Sequence, residues 1–138
     1  MTLLSIIIPA HNADRTISET ISSCREDDVS SVEILVVDDG SVDTTAKVAS
    51  ASLGLAGHVI RQPASGVSVA RNRGVREAAG RYVMFVDADD KLPPGSLARF
   101  LDFAASEDAH QPCARPQCRF TGHADSPCGA VIAADDHQ

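Results

Sequence analysis

Short apolar runs alternate with helical patterns along the first three quarters of the chain. Four runs are predicted to be β-strands, at residues 3–8, 32–37, 58–61 and 82–86. Three of them are almost continuously apolar, which is typical of strands covered on both faces, as in a parallel sheet. The run at 58–61 is a weaker candidate for a strand. The pattern predicts buried strands between layers of helices.

Each predicted strand is followed by apolar residues at helical spacing. Asn12 or Asp14 is a candidate cap for the first helix and Asp43 for the second, because these side chains accept hydrogen bonds from free helical N–H groups. The spacing predicts a third helix over 67–79, with Gly80 as its C-terminal stop.

A fourth helix is predicted to open at Pro94, since proline suits the first helical position. Leu97, Phe100, Leu101 and Ala104 form one apolar face of that helix. Strands that alternate with helices in this way indicate an α/β fold with a mainly parallel sheet.

Composition and charge narrow the class of protein. The chain has 138 residues, 43% of them hydrophobic, and a formal net charge of −7. The acidic balance argues against a nucleic-acid partner, which would require a clustered basic face. No run of eighteen apolar residues is present, and the N-terminus lacks a basic region and a cleavage site. We therefore expect a cytoplasmic location, and association with the inner face of the membrane is left open.

The composition changes near residue 107. Residues 108–138 contain no Leu, and their Pro, Cys, His and Arg residues are scattered without period. We therefore expect two regions: a domain at 1–107, and an atypical tail at 108–138 that is disordered or non-native.

The tail carries one candidate metal-binding pattern. Cys113, Cys118, His123 and Cys128 make a legitimate tetrahedral zinc set, and the second half resembles a zinc knuckle. The first spacing does not fit a knuckle, which has two residues between its first cysteines, so an unstructured tail is the favoured interpretation. Cys24 lies on an apolar helical face and is predicted to be a core residue.

Two acidic clusters follow predicted strands: Asp38 with Asp39, and Asp87 with Asp89. Ligands of open α/β sheets bind at the carboxyl ends of the strands. Carboxylates gathered there repel one another unless a cation or hydrogen-bond donors offset the repulsion, and their oxygens suit Mg²⁺ or Mn²⁺. The alternative is that these residues only cap loops, and for Asp38 we expect anchoring of loop amides. Neither a G-x-G-x-x-G segment nor a P-loop is present.

Four segments, taken in order, resemble the motifs of family 2 glycosyltransferases and together span about residues 3–103. They are SIIIPAHN at 5–12, VVDDGSVDTT at 36–45, GVSVARNRG at 66–74 and FVDADD at 85–90. The resemblance implies a GT-A fold, a Rossmann-like, mainly parallel sheet flanked by helices, here incomplete.

The resemblance assigns the first two segments to the nucleoside. Pro9, His11 and Asn12 would lie along the base and ribose pocket, and Asp39 would accept the imide proton of uracil or thymine. A charged acceptor strengthens such a hydrogen bond. His11 stands where the family usually has Tyr or Phe; imidazole can still stack on a base, or it caps the turn.

The last two segments are assigned to the rest of the donor. Arg71 and Asn72 would line the nucleotide site, and Asp87 would face the ribose or a metal-bound water. Asp89 would ligate Mn²⁺ or Mg²⁺, which neutralises the diphosphate leaving group. The alternatives to a ligand contact are that Arg71 is only a surface residue of its helix and that Asn72 only forms a hydrogen bond with the backbone.

The implied reaction is inverting transfer of a sugar from a UDP- or dTDP-sugar to a saccharide or lipid-linked acceptor in cell-envelope or exopolysaccharide assembly. The match ends near Phe103, so the catalytic base falls outside it and we expect a truncated chain. The alternatives are a non-catalytic nucleotide-sugar-binding remnant and a zinc-knuckle-bearing binding module. The sugar, the base, the acceptor and the oligomeric state are left open.

Overall fold

A computed structural model describes residues 2–25, 30–105 and 131–133. Its strands are β1 Leu4–Ala10, β2 Val32–Asp39, β3 Gly57–Gln62, β4 Tyr82–Phe85 and β5 Val131–Ala133. Its helices are α1 Ile17–Ser23, α2 Thr45–Leu53, α3 Val67–Glu77 and α4 Ser96–Ala105.

The strands form one sheet in the order β3-β2-β1-β4-β5. The first four are parallel to their neighbours, with Ile6 of β1 opposite Ile34 of β2 and Met84 of β4. β5 pairs antiparallel with β4. The predicted α/β fold with a mainly parallel sheet is confirmed.

Both faces of β1 are buried, which explains its continuous apolarity. Ile6 and Ile8 belong to the larger core, which includes residues of α1, α2 and α4. Ile7 points the other way and packs in a second core with Phe85 and with Ala70 of α3. Successive side chains of a strand alternate between the two faces, so one run supplies both cores.

Pro9 lies inside β1, opposite Val37 of β2, although the sequence predicted that the strand stops before it. The carbonyls of Leu3 and Ile7 accept hydrogen bonds from the β4 side, so the backbone of Pro9 faces that side too. The β1–β4 ladder ends at Ile7, and among the described residues no strand beside Pro9 requires the N–H that proline lacks.

The predicted cap of α1 is wrong. The residue before the helix is Thr16, which makes no side-chain cap hydrogen bond. The side chains of Asn12 and Asp14 instead bind the loop after β2: Asn12 Oδ1 accepts from the Val42 N–H at 2.9 Å, and Asp14 Oδ2 accepts from the Thr44 hydroxyl at 3.0 Å. Contacts between loops thus replace the local cap.

At α2 the residue before the helix is Thr44, which makes no side-chain cap hydrogen bond, and the predicted residue Asp43 binds the first helical N–H from one position further back. Asp43 Oδ1 accepts hydrogen bonds from the backbone N–H of Thr45, at 2.9 Å, and from the Thr45 hydroxyl. The bond from the Thr45 side chain is the largest influence on this carboxyl and lowers the pKa of Asp43.

Two helix boundaries differ from the prediction. α3 ends at Glu77, because Ala78 already has an extended backbone, so Gly80 is not its stop. Gly80 instead packs against β1, where a Cβ would lie 2.6 Å from the backbone N of Ser5. α4 begins at Ser96 rather than Pro94, since Gly95 has φ +77°, which a right-handed helix cannot contain.

β5 lies in the part of the sequence for which no strand was predicted. The domain boundary at residue 107 stays a prediction. The zinc candidates Cys113, Cys118, His123 and Cys128 lie outside the described residues. Cys24 is buried in the larger core, as expected.

Candidate functional site

Four loops meet at the carboxyl edge of the parallel strands. They follow β1 at 11–16, β2 at 40–44, β3 at 63–66 and β4 at 86–95. Within the sheet, β2 and β3 lie on one side of β1, and β4 lies on the other side of β1. The strand order therefore reverses at β1, the place where α/β sheets open a crevice for ligands.

Asp39 is the buried anchor of this edge, with 7% of its surface exposed. Its Oδ1 accepts hydrogen bonds from Gln62 Nε2 at 2.9 Å and from the Ser65 N–H at 2.8 Å. Its Oδ2 accepts from the Gly66 N–H at 2.9 Å. Burial favours the neutral acid, but these hydrogen bonds outweigh burial and hold the pKa of Asp39 below its ordinary value. The carboxylate stays ionised at neutral pH.

Sheet register and one glycine place these partners around Asp39. Gln62 lies directly opposite Asp39 in the β2–β3 ladder. The next residue, Gly40, has φ +71°, and a Cβ there would lie 2.5 Å from the backbone N of Ala64. Glycine thus allows the loop after β2 to approach the loop after β3 closely enough for the Ser65 and Gly66 amides to reach the carboxylate.

His11 and Asn12 join the ends of β1 and β2. His11 Nδ1 lies 2.7 Å from the carbonyl oxygen of Asp39, and because a carbonyl only accepts, Nδ1 carries the proton. Asn12 has φ +50° and donates its backbone N–H to the hydroxyl of Ser41 at 2.9 Å. Both residues are exposed, so their outer surfaces are open to a ligand.

Asp38 faces away from solvent. Its Oδ1 accepts from the Ser41 N–H at 3.1 Å, and its Oδ2 lies 3.3 Å from Arg61 Nε. The residue is completely buried. The expectation that Asp38 anchors loop amides is confirmed.

Arg71 and Asp87 form an ion pair beside the end of β4. Arg71 Nη2 lies 3.0 Å from Asp87 Oδ1, and the guanidinium stands over the ring of Phe85, 5.9 Å from its centroid. Gly74, one turn further along α3, packs so closely on β1 that a Cβ would lie 2.4 Å from Ile7 Cγ2. This contact brings α3 near enough to the sheet for Arg71 to reach Asp87.

The turn after β4 gathers three exposed carboxylates, those of Asp87, Asp89 and Asp90. The Asp90 N–H donates to the Asp87 carbonyl at 3.0 Å, and the Thr20 hydroxyl donates to the Ala88 carbonyl at 2.8 Å, which holds the turn against α1. Although Asp90 is exposed, partial desolvation of its carboxyl, together with the negative charges of Asp89 and Asp87, raises the pKa of Asp90.

A cation would be held here by few protein ligands. Within the described residues, no group of three or more His, Cys, Asp or Glu side chains is arranged around a common ion position. Asp89 is exposed, and no described residue is hydrogen-bonded to its carboxylate. One or two hard carboxylate oxygens fit Mg²⁺ or Mn²⁺ when a ligand's phosphate oxygens and water complete the coordination.

The predicted residues therefore fall into two groups at one edge. His11 contacts both Asp39 and Asn12, and Arg71 contacts Asp87. Pro9 is buried in β1, and Asn72 is exposed on α3 next to Arg71. The prediction omitted the residues that hold Asp39, namely Gln62, Ser65 and Gly66. The sequence did contain a sign of their role, because these three residues follow a predicted strand and include a glycine directly before a predicted helix.

No helix in the described ranges 2–25, 30–105 and 131–133 is long and apolar enough to cross a membrane.

Comparison with known proteins places the whole domain in a family. The family model described as glycosyl transferase family 2 matches residues 5–126. Among curated relatives, WfgD of Escherichia coli, named a UDP-Glc:alpha-D-GlcNAc-diphosphoundecaprenol beta-1,3-glucosyltransferase, is 40% identical over 89 residues, which are 64% of this chain and 35% of WfgD. The chain spans about a third of the length of the curated relatives it matches.

Two solved structures share the fold. TarS 1–349 of S. aureus in complex with UDP-GlcNAc superposes with a TM-score of 0.71 at 26% identity, covering 88% of this chain and 39% of the TarS 1–349 chain. The mannosyltransferase PcManGT from Pyrobaculum calidifontis, in complex with GDP-Man and Mn²⁺, gives a TM-score of 0.69 at 27% identity, covering 75% of this chain and 32% of that protein. With a GT-A sheet and a family match over most of its length, the chain belongs to glycosyl transferase family 2.

Proposed function

We propose that this chain is the nucleotide-sugar-binding part of an inverting glycosyltransferase of cell-envelope or exopolysaccharide assembly. The observation that carries the proposal is the ionised, buried Asp39 at the sheet edge, on the same edge as the acidic turn after β4. Asp39 suits a nucleobase that donates an N–H, and the acidic turn suits a diphosphate with its divalent cation. The family membership and the UDP-GlcNAc and GDP-Man complexes of the structural neighbours support this assignment.

The nucleoside would bind against the loops after β1 and β2. Asp39 accepts the imide N–H of uracil or thymine, since an anion is a strong acceptor for such a donor. His11 and Asn12 are exposed beside it and are held by their bonds to the β2 loop. Pro9 forms the floor at the point where β1 continues beyond β4.

The diphosphate would bind near Arg71, Asp87 and Asp89. Asp89, with Asp87, would hold Mn²⁺ or Mg²⁺, and the bound ion supplies charge stabilisation for the departing diphosphate. Arg71 is a cation that can contact phosphate directly, and Asn72 offers an exposed amide on the same helix.

Transfer also requires an acceptor and a base. In an inverting reaction the acceptor hydroxyl oxygen attacks the anomeric carbon while the bond to the diphosphate breaks, and a base removes the hydroxyl proton. No carboxylate is assigned to this role here. We propose that a later part of a longer protein supplies it, in keeping with the chain's length relative to its relatives. The name of WfgD suggests a saccharide on a lipid diphosphate as the class of acceptor.

The donor site is tested by calorimetry with UDP, with and without Mn²⁺. We expect Mn²⁺ to tighten UDP binding and Asp89→Ala to remove that gain, because the ion loses its protein ligand. Asp102→Ala is the matched control, since Asp102 is an exposed carboxylate on α4. UDP affinity that is indifferent to Mn²⁺ would contradict the metal assignment, and no UDP binding at all would contradict the donor site.

A second assay separates a transferase from a binding remnant. UDP release from UDP-sugars is followed with saccharide and lipid-linked acceptors. Glycosyl transfer by this chain would overturn the proposal that the acceptor half lies elsewhere. UDP binding without any release would fit the donor-binding part alone.

A further inference from the structure

The hydrogen bonds made to Asp39 use most of its capacity as an acceptor. An ionised carboxylate has about four lone-pair positions, two on each oxygen. Oδ1 receives two donors, Gln62 Nε2 and the Ser65 N–H, whereas Oδ2 receives one, the Gly66 N–H. Within the described part of the chain, one acceptor position therefore stays open, and it is on Oδ2.

We propose that Gln62 is a specificity-determining residue, which makes this site select a base with one imide N–H, uracil or thymine, over guanine. This inference rests on the proposed function, because it assumes that a nucleotide base meets Asp39. It adds that guanine is rejected and that the side chain of Gln62 enforces the choice.

The Watson–Crick edges of the bases differ in the number of donors they present. Uracil and thymine present one imide N–H, which the open position on Oδ2 can accept. Guanine presents two parallel donors, N1–H and N2–H, which pair with a carboxylate through one acceptor on each oxygen. With Oδ1 filled by Gln62 and Ser65, one guanine donor would be buried without a partner, and such an unpaired group is costly.

Cytosine is excluded for a different reason. Its N3 carries a lone pair and no proton, so it would face the ionised Asp39 as acceptor against acceptor. The lowered pKa of Asp39 means that the carboxyl does not supply the missing proton near neutral pH. A site with this pattern of acceptors should therefore bind uridine nucleotides more tightly than guanosine or cytidine nucleotides.

Gln62 is the only side chain among the three donors, and it can be changed without altering the backbone. It lies opposite Asp39 in the β2–β3 ladder and is half-buried. An amide nitrogen also carries a second N–H, which suits a carbonyl beside the imide. Gln62 thus removes an acceptor that guanine would need and offers a donor that uracil can use.

The first test uses the unmodified chain and calorimetry with UDP, GDP and CDP, each in the same Mn²⁺ buffer. The diphosphate and the metal are common to all three, so differences in affinity report the base. We expect UDP to bind about tenfold or more tightly than GDP, the scale of one lost hydrogen bond to a charged group, and CDP to bind more weakly than UDP. GDP binding equal to or tighter than UDP binding would overturn the inference.

The second test compares Gln62→Met with His58→Met. Methionine keeps the length of Gln62 but cannot donate, so it frees a position on Oδ1. We expect the preference for UDP over GDP to fall about tenfold in Gln62→Met. His58 is exposed on the same strand, and His58→Met should keep the wild-type preference. A merely structural role for Gln62 would weaken both nucleotides together and leave their ratio unchanged.

The outcomes separate this inference from the function on which it rests. If no nucleotide binds, both are wrong. If UDP binds with the expected metal dependence but Gln62→Met keeps the UDP-to-GDP ratio, the inference alone is wrong. If Gln62→Met does not fold, Gln62→Ala removes the same donor, and an unchanged UDP-to-GDP ratio in that variant would overturn the inference.

Discussion

Arg71 Nη2 donates a 3.0 Å hydrogen bond to Asp87 Oδ1, which joins α3 to the end of β4 across the sheet edge. Asp87 is half exposed, and the Arg71 Nε is buried without a hydrogen-bond partner among the described residues. An ion pair as exposed as this one adds about 0–1 kcal/mol to stability. Its main consequence is therefore the position of the guanidinium rather than the stability of the fold.

Arg71→Gln should weaken UDP binding about tenfold while it changes the free energy of unfolding by less than about 1 kcal/mol. The glutamine keeps a polar side chain but removes the cation that we propose contacts the diphosphate. Calorimetry measures the first quantity and urea denaturation the second. Arg73→Gln is the control, since Arg73 on the same helix pairs with Glu77. Equal losses of UDP affinity in both variants would mean that general charge, and not Arg71 itself, matters.

Gly74→Ala should destabilise the protein by up to about 2 kcal/mol. Alanine favours a helix over glycine by about 1 kcal/mol, but its Cβ would lie 2.4 Å from Cγ2 of Ile7, which is fully buried and β-branched. Overpacking of this kind costs about 1–3 kcal/mol, and more when the neighbour cannot move. Urea denaturation measures the loss, with Ser68→Ala at an exposed position of α3 as the control. A stabilised Gly74→Ala would show that α3 shifts freely over β1.

The apolar pattern was sufficient to predict the parallel strands, because runs such as 34–37 are buried on both faces of the sheet. It also placed Asp39 and Asp87 at one edge, since parallel strands end together. The cap of α1 was wrong because Asn12 and Asp14 bond to a loop about 30 residues away. Short-range rules cannot weigh such tertiary partners.

The donors to Asp39 were missed for the same reason. Gln62 and Gly66 are 23 and 27 residues from Asp39, and only the register of β2 with β3 brings them together. The ion pair of Arg71 with Asp87 likewise depends on how closely α3 approaches β1 at Gly74. The residue types were enough to predict which edge of the sheet carries the site. The strand register and the packing of α3 on β1 determine which side chains are in contact there.

Asp39→Asn should lower the free energy of unfolding at pH 7 by about 1–3 kcal/mol, because the new amide cannot accept from all three donors. The folded pKa of Asp39 lies below its ordinary value, so its contribution is complete above about pH 4 and is lost as pH falls through the folded pKa. The difference in stability between wild type and Asp39→Asn should therefore stay constant from pH 7 to about 5 and shrink below about pH 4. Urea denaturation across this range measures it.

The control for that titration is Asp102→Asn, which changes an exposed carboxylate on α4. Its stability should follow the wild-type curve at every pH. A difference between wild type and Asp39→Asn that instead grew as the pH fell would contradict the hydrogen-bonded, ionised state of Asp39.

His11→Phe should keep UDP affinity within a few-fold of wild type, whereas His11→Ala should lower it about tenfold. A ring at position 11 can stack on a base, and stacking of a base on an aromatic side chain is worth about 1–3 kcal/mol. Phenylalanine keeps the ring but loses the hydrogen bond from Nδ1 to the Asp39 carbonyl and the contact of Nε2 with the Asn12 amide. Calorimetry with UDP in Mn²⁺ measures both variants, and urea denaturation shows whether the loop bond matters for stability. Equal affinities for His11→Ala and wild type would mean that His11 serves only the turn, because removal of the whole ring would then leave the base contact unchanged.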